Sequence, residues 1–434
     1  MNVLRSLRLA ALPLLAAAAH ATPPDAPCPA TLPRGAHCHL LQDAEGAWVW
    51  VALPAGWTHD DGVLVVHAHG GPTLGPPAPK RGEEDLQRWA VMVKAGYAWV
   101  GSTYRRGGYG VRSAAEDTER ARALFIEHFG APRHTVLHGQ SWGGNVAAKA
   151  AELFPRSWDG VLLTSGVLGG GTRSYDARLD LRVVYQYVCK NHPLPDEPQY
   201  PLWQGLPSGS PLTRAELARR VDACTGVRQP AEARSARQRA NLAVILAAVK
   251  IPERSLIAHL DWATWLFQDL VQERLGGRNP FGNDGAHYSG PEEAALNAGV
   301  LRYRADPQAV AQLAEDSDLG GRVTLPTLTL HAVDDPTAIV ELESVYRETR
   351  ERAGTADRLV QVFSDEHEHS YLSDPQYPAL MSALLAWIER DAKPTPQRVA
   401  ELCRGYEAAY GKACKLLPDY RPAPLSARVP PRDH

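Results

Sequence analysis

The chain is short of several things that would point to particular functions. It has no block of lysine or arginine, and its 46 basic and 49 acidic residues leave a formal charge of only −3. Phosphate binding needs a concentrated basic surface, so no nucleic-acid partner is expected. The six cysteines include no CxxC pair and no Cys/His spacing of a zinc site, so no metal is expected. No Lys-Ser/Thr phosphate-loop signature is present, and no cofactor is expected. No internal repeat is found. Beyond the N-terminus, no segment is apolar enough to cross a bilayer, which takes ~20 residues.

What remains is an ordinary globular composition, 44% hydrophobic and 22% charged, which excludes disordered, collagenous and disulfide-only chains. A length of 434 residues fits two or three domains, or one large α/β domain carrying an insertion. Arg5 and Arg8 precede an apolar run over 9–19, which ends in Ala19-His20-Ala21. A basic start, a short apolar middle and a small-x-small end predict a secretory signal peptide over 1–21 and no membrane anchor. Its removal takes two arginines and no acid, moving the charge from −3 to −5. An exported chain with an even cysteine count reads as disulfide-bonded. Pairing within local segments predicts Cys28–Cys38, Cys189–Cys224 and Cys403–Cys414. A secreted or periplasmic location follows as the expectation.

Short β-branched runs alternate with helical patterns. Strands are predicted over 63–66, 97–101, 133–138 and 161–163, and again over 328–330 and 359–362. A helix over 113–129 is expected to open on a Ser113/Glu116 capping box and close at Gly130. Another over 144–154 stops at Pro155. A last helix over 376–389 has Ser373 or Asp374 as its cap, Pro375 in its first turn, and Tyr377, Leu380, Leu384 and Ile388 as its apolar stripe. This rhythm predicts a mostly parallel sheet with helices on both faces. It breaks between 167 and 323, where helices are predicted over 214–222, 233–249, 254–275, 292–298 and 307–314. The expected organisation is a core over 22–166 and 324–392, a mainly helical insertion over 167–323, and a tail over 393–434 pinned by a disulfide.

Gly139-Gln140-Ser141-Trp142-Gly143 is a G-x-S-x-G run between a predicted strand and a predicted helix. That context lifts a serine hydroxyl above the sheet on a tight turn with small neighbours, and points the next helix's N-terminus at developing negative charge. Ser141 is the candidate nucleophile. Trp142 N–H is one candidate oxyanion donor. The second comes from His69-Gly70-Gly71-Pro72, after the strand over 63–66. Pro72 has no N–H, so Gly71 or Gly70 must donate, and Gly71 is preferred. A base and an orienting acid are expected in the order Ser, acid, His. Asp334 and Asp335 follow one late strand; Asp335, before Pro336, is preferred. His367 and His369 follow the last strand; His369, nearer the final helix, is preferred. The pairs His67-x-His69 and His367-x-His369 lack the further converging ligands a metal would need.

Together these segments resemble the α/β-hydrolase fold over residues 48–166 and 324–390. The resemblance implies Ser141, Asp335 and His369 as catalytic triad, Gly71 and Trp142 as oxyanion hole, and the insertion as a cap between sheet strands six and seven. His-Gly-Gly-Pro and Gly-Gln-Ser-Trp-Gly-Gly are similar to proline iminopeptidase-type serine aminopeptidases, although Thr73 stands where those continue with glycine. Residues 104–110 are similar to a loop of prolyl-oligopeptidase-type enzymes. Tannase-like and fungal feruloyl-type esterases place cysteines beside nucleophile and base; here Gln140 and Glu368 are the neighbours considered, which disfavours that branch.

The insertion holds Tyr185, Tyr187, Tyr200, Trp203, Trp262, Trp265 and Phe267. Trp262 and Trp265, three apart on a predicted helix, should share a face and suit an apolar acyl pocket. Asp261 and Asp269 are the acids that would instead hold a peptide's amino terminus. The expected activity is hydrolysis of a small carboxylic ester, with a serine aminopeptidase acting on short peptides as the alternative.

Overall fold

The computed structural model describes residues 23–432. The signal peptide expected over 1–21 lies outside the described residues. Nine strands form one sheet: β1 (Asp25–Ala26), β2 (His37–Gln42), β3 (Trp48–Leu53), β4 (Val63–Ala68), β5 (Ala98–Ser102), β6 (His134–Gln140), β7 (Gly160–Thr164), β8 (Thr327–Ala332) and β9 (Leu359–Ser364). Their spatial order is β1-β2-β3-β5-β4-β6-β7-β8-β9. β1 pairs antiparallel with β2, β2 with β3 and β3 with β5, and every pairing from β5 to β9 is parallel. This is the α/β-hydrolase sheet, extended at its antiparallel edge by the short β1. Strands β1 and β2 lie before the region of resemblance, and Cys38 on β2 is bonded to Cys28. Cys189–Cys224 and Cys403–Cys414 are bonded as well, as expected.

Period-two alternation sends neighbouring residues to opposite faces. On β4, Leu64 and Val66 pack into one core and Val65 into the other. The first core takes the helices Val111–Phe129 and Trp142–Leu153 and runs on without a break into the insertion through Leu179, Val184, Ile245 and Phe267. The second is covered by Pro79–Arg88 and by Gln376–Arg390, whose Tyr377, Leu380 and Leu384 are fully buried. Each such side chain contributes about 1.5–3 kcal/mol by leaving water.

Helix starts depart from expectation for identifiable reasons. The helix expected from Ser113 begins at Val111, and the capping box does not form. The Ser113 hydroxyl donates to Gly110 O, and Glu116 accepts from Arg105. The cap comes from the insertion instead: Asp316 accepts from the N–H groups of Val111 (2.9 Å) and Arg112 (3.1 Å). Neither Ser373 nor Asp374 caps the helix Gln376–Arg390, where Pro375 is the N-cap residue. Ser373 donates to Ala413 O, and Asp374 accepts from Tyr371 and Lys412.

The chain between β7 and β8 is helical. The helix expected over 254–275 forms as one continuous helical run over 253–274, in which the α stretch Leu256–Asp261 passes into π-helical stretches Trp262–Leu266 and Asp269–Arg274. The Gly205 backbone lies against this segment so closely that a Cβ there would come within 2.1 Å of Thr264 O. The tail contains a helix, Pro396–Tyr410, packed on Gln376–Arg390. Beyond it, Leu416 bridges to Ser364 on β9, and Arg432 ends buried against Asp180 and Asp176 of the insertion. No helix among the described residues is long and apolar enough to cross a membrane.

Candidate active site

Strands β4, β6, β8 and β9 are parallel, so the segments that follow them meet at one edge of the sheet. In open α/β sheets that edge is where ligands bind. Ser141 follows β6, the turn at Gly70–Gly71 follows β4, Asp335 follows β8 and His369 follows β9.

Ser141 sits at φ 58° and ψ −125°, a conformation that costs a non-glycine residue about 1–3 kcal/mol. Three backbone bonds hold it: Ser141 N–H to Thr164 O (3.0 Å), and the N–H groups of Gly144 and Val167 to Ser141 O (2.9 Å each). The small neighbours are required sterically. A Cβ on Gly143 would lie 2.1 Å from Ala68 O, and one on Gly139 would lie 2.2 Å from Gly143 O. Trp142 opens the helix Trp142–Leu153, so its N–H belongs to the first turn, whose donors lack intrahelical partners.

His369 Nε2 is 2.7 Å from Ser141 Oγ, and its Nδ1 is 2.8 Å from Asp335 Oδ2. Asp335 Oδ1 accepts from the N–H groups of Thr337 (2.8 Å) and Ala338 (2.9 Å), the first donors beyond Pro336. Behind the carboxylate lies His331, with Nε2 2.8 Å from Ala338 O and Nδ1 3.2 Å from Glu343 Oε1. Burial works against a charged imidazole there. The bond to Glu343 and the charge of Asp335 outweigh it and hold His331 above its ordinary value. His331 and Glu343 had no role in the sequence reading; each is an ordinary residue until the fold buries the two together.

The alternatives Asp334 and His367 pair with each other instead. His367 Nδ1 is 2.8 Å from Asp334 Oδ2, and Arg254 donates to the same oxygen at 2.8 Å. This second pair is largely exposed, 69% at His367 and 42% at Asp334, and neither contacts Ser141.

Gly71 has φ +73°, and a Cβ there would meet only open space. The turn is braced from behind. Arg81 donates to Gly70 O (2.7 Å), and the His69 ring stacks on Tyr104 at 4.1 Å. Burial, then the charge of Arg81, push His69 down to about 3. The other histidine of this strand, His67, meets His138 across the sheet with Nδ1 atoms 3.0 Å apart. Burial holds both low, so both rings are neutral structural groups on the tryptophan-lined face. The neighbour of the base that meets Gln140 is Ser370, not Glu368: the Gln140 amide donates to the Ser370 hydroxyl and ties the Ser141 strand end to the His369 loop.

A cleft of about 420 Å³ opens on this turn, lined by Gly70, Gly71, Pro72, Arg81, Trp262 and Trp265. That volume suits a small-molecule ligand. Trp262 and Trp265 do share this wall. Asp261 and Asp269 do not present free carboxylates. Asp261 pairs with Arg214, while Asp269 pairs with Arg274 and accepts the Tyr109 N–H.

No family model matches the chain, and no curated protein matches it. Solved structures do. Feruloyl esterase B from Aspergillus oryzae is 13% identical, with 83% of this chain and 81% of that one covered at a TM-score of 0.44. A putative lipase from Acinetobacter baumannii AYE is 14% identical, with 82% and 93% covered at a TM-score of 0.39.

Proposed function

We propose that this chain is a serine hydrolase that cleaves small carboxylic esters through an acyl-enzyme. The observation that carries the reading is the unbroken hydrogen-bonded line Ser141–His369–Asp335 beside the Gly70–Gly71 turn. Ser141 Oγ attacks the ester carbonyl as His369 Nε2 takes its proton. The N–H groups of Gly71 and Trp142 receive the negative charge that forms on the carbonyl oxygen. The tetrahedral adduct collapses, the C–O bond to the alcohol breaks, and His369 returns its proton to the departing alkoxide. Water then repeats the sequence on the acyl-enzyme, releasing the acid and restoring Ser141. Asp335 holds the imidazole in its orientation and compensates its transient charge.

An ester is favoured over a peptide's amino terminus because Asp261 and Asp269, the acids considered for an ammonium group, are already in ion pairs with arginines. The helical insertion acts as the cap and supplies the tryptophan wall. Three disulfides fit an oxidising compartment, in keeping with export directed by residues 1–21.

The test is turnover by the oxidised chain on two chromogenic series, p-nitrophenyl acyl esters of increasing length and aminoacyl anilides including prolyl. Ester cleavage abolished by Ser141→Ala, with the anilides untouched, is expected. Ser141-dependent cleavage of anilides that requires their free amine would move the chain to the aminopeptidases.

A further inference from the structure

The turn after β4 presses on the Ser141 turn from both sides. A Cβ on Gly70 would lie 2.6 Å from Gln140 Oε1, and one on Gly143 would lie 2.4 Å from His69 O. Its own side chains do not fix its conformation. Gly71, at φ +73°, has only open space where a Cβ would be. A peptide plane between two glycines rotates at little cost, because glycine adopts both signs of φ. Which way this plane faces decides whether the turn can receive negative charge. The Gly70–Gly71 peptide is trans, so its C=O and N–H point to opposite sides. Holding the carbonyl on one side therefore presents the N–H on the other, and a flipped plane would put an oxygen where the donor belongs. Gly71 N–H makes no hydrogen bond to another described residue.

Two groups hold the Gly70 carbonyl. The His69 Nδ1–H donates to it at 3.1 Å, from a ring that burial keeps neutral. Arg81 Nη2 donates at 2.7 Å and brings a full charge, which makes the stronger bond.

The guanidinium is itself fixed. Arg81 lies in the first turn of the helix Pro79–Arg88. That helix is pinned to the sheet: Trp50 of β3 donates its Nε1–H to Pro79 O at 2.8 Å, and a Cβ on Gly82 would lie 2.5 Å from Trp50 Cδ1. The buried Asp85, one turn on, places Oδ1 3.3 Å from the same Nη2. A charge carried on a helix locked to the sheet thus sets the plane of a glycine turn that cannot set its own.

We propose that Arg81 is a positioning residue for the ester hydrolysis: by holding Gly70 O it keeps the Gly71 N–H aimed at the substrate's carbonyl oxygen. This rests on the hydrolase reading above. The charge also polarises the peptide it binds and makes its N–H a stronger donor.

The test compares binding of an alkyl trifluoromethyl ketone with that of the matched secondary alcohol. Ser141 Oγ adds to the ketone carbon as its proton passes to His369, leaving an oxyanion; the alcohol binds without an adduct. In Arg81→Met, kcat/KM on the best p-nitrophenyl ester and the affinity for the ketone should both fall by about tenfold or more, while the affinity for the alcohol changes by less than about threefold. Arg81→Lys, which keeps the cation, should recover part of both losses. A merely structural role would weaken ketone and alcohol alike, and that result overturns the proposal. Where Arg81→Met fails to fold, Arg81→Lys is compared with the wild type: its preference for ketone over alcohol should drop by about threefold or more, and an unchanged preference overturns the proposal. A wild type that neither cleaves esters nor forms the ketone adduct overturns the hydrolase reading itself. An active wild type whose Arg81 variants keep the ketone preference overturns the role of Arg81 alone.

Discussion

Two aspartate–histidine pairs, with adjacent aspartates and histidines two residues apart, stand at the same edge of the sheet, and only one of them is aligned on Ser141. Asp334 and His367 meet at 2.8 Å in the open, with Arg254 alongside. Asp335 and His369 also meet at 2.8 Å, but the carboxylate is buried, fed by two backbone N–H groups, backed by His331, and aligned on Ser141. Pair distance does not distinguish them. What differs is solvent and the third partner. In water a carboxylate–imidazole contact is worth little. Out of water, with each remaining lone pair satisfied, it fixes the imidazole's tautomer and orientation.

The comparison can be broken most severely at its functional end. Ser141→Ala should lower kcat on the best ester by a factor on the order of 10⁴–10⁶, and Asp335→Asn by about 10⁴, read in steady-state assays. If Asp334→Asn proved as damaging as Asp335→Asn, the contrast between the pairs would collapse. The next effect is on stability. His331 has a folded-state value raised above its unfolded one, so its contribution is complete below about pH 6.5 and is lost as pH rises through the folded value. Urea midpoints measured from pH 5.5 to 8.5 should fall more steeply for the wild type than for His331→Asn. Asp85, beside Arg81 under the Gly70 turn, offers a sharper window. Burial, opposed by Arg81, raises it to about 6. Its ionisation therefore costs stability as pH rises from about 4 to 6. Asp85→Asn should gain ~1–3 kcal/mol on the wild type across that interval. The smallest effect belongs to the exposed pair: Asp334→Asn and His367→Ala should each change kcat/KM by less than about threefold and stability by under ~1 kcal/mol.

The same distinction explains what was legible beforehand. The Ser141 turn could be read because its constraint is local: Gly139 and Gly143 are small since backbone atoms lie where a Cβ would go. The parallel strands could be read from their buried β-branched runs. The choice between the two aspartates could only be leaned on, since it depends on a turn in which Thr337 and Ala338 donate to one side chain and not the other. The antiparallel strands β1, β2 and β3 were missed as well; β1 and β2 carry no distinctive run and are strands through pairing, β1 with β2 and β2 with β3.

The carboxylate of Asp316 has a consequence for how this molecule comes to be. It closes the first turn of a core helix from a position 205 residues later in the chain, while Asp269 secures the loop just before it across a separation of 160. Synthesis delivers the core helix long before either acid exists. Until the insertion is made and folded back, that helix end and the Tyr109 loop lack their partners. The two halves therefore mature together, and grafting a foreign insertion onto this sheet would remove part of the sheet's own scaffolding. The insertion is safer to alter one side chain at a time than to exchange whole.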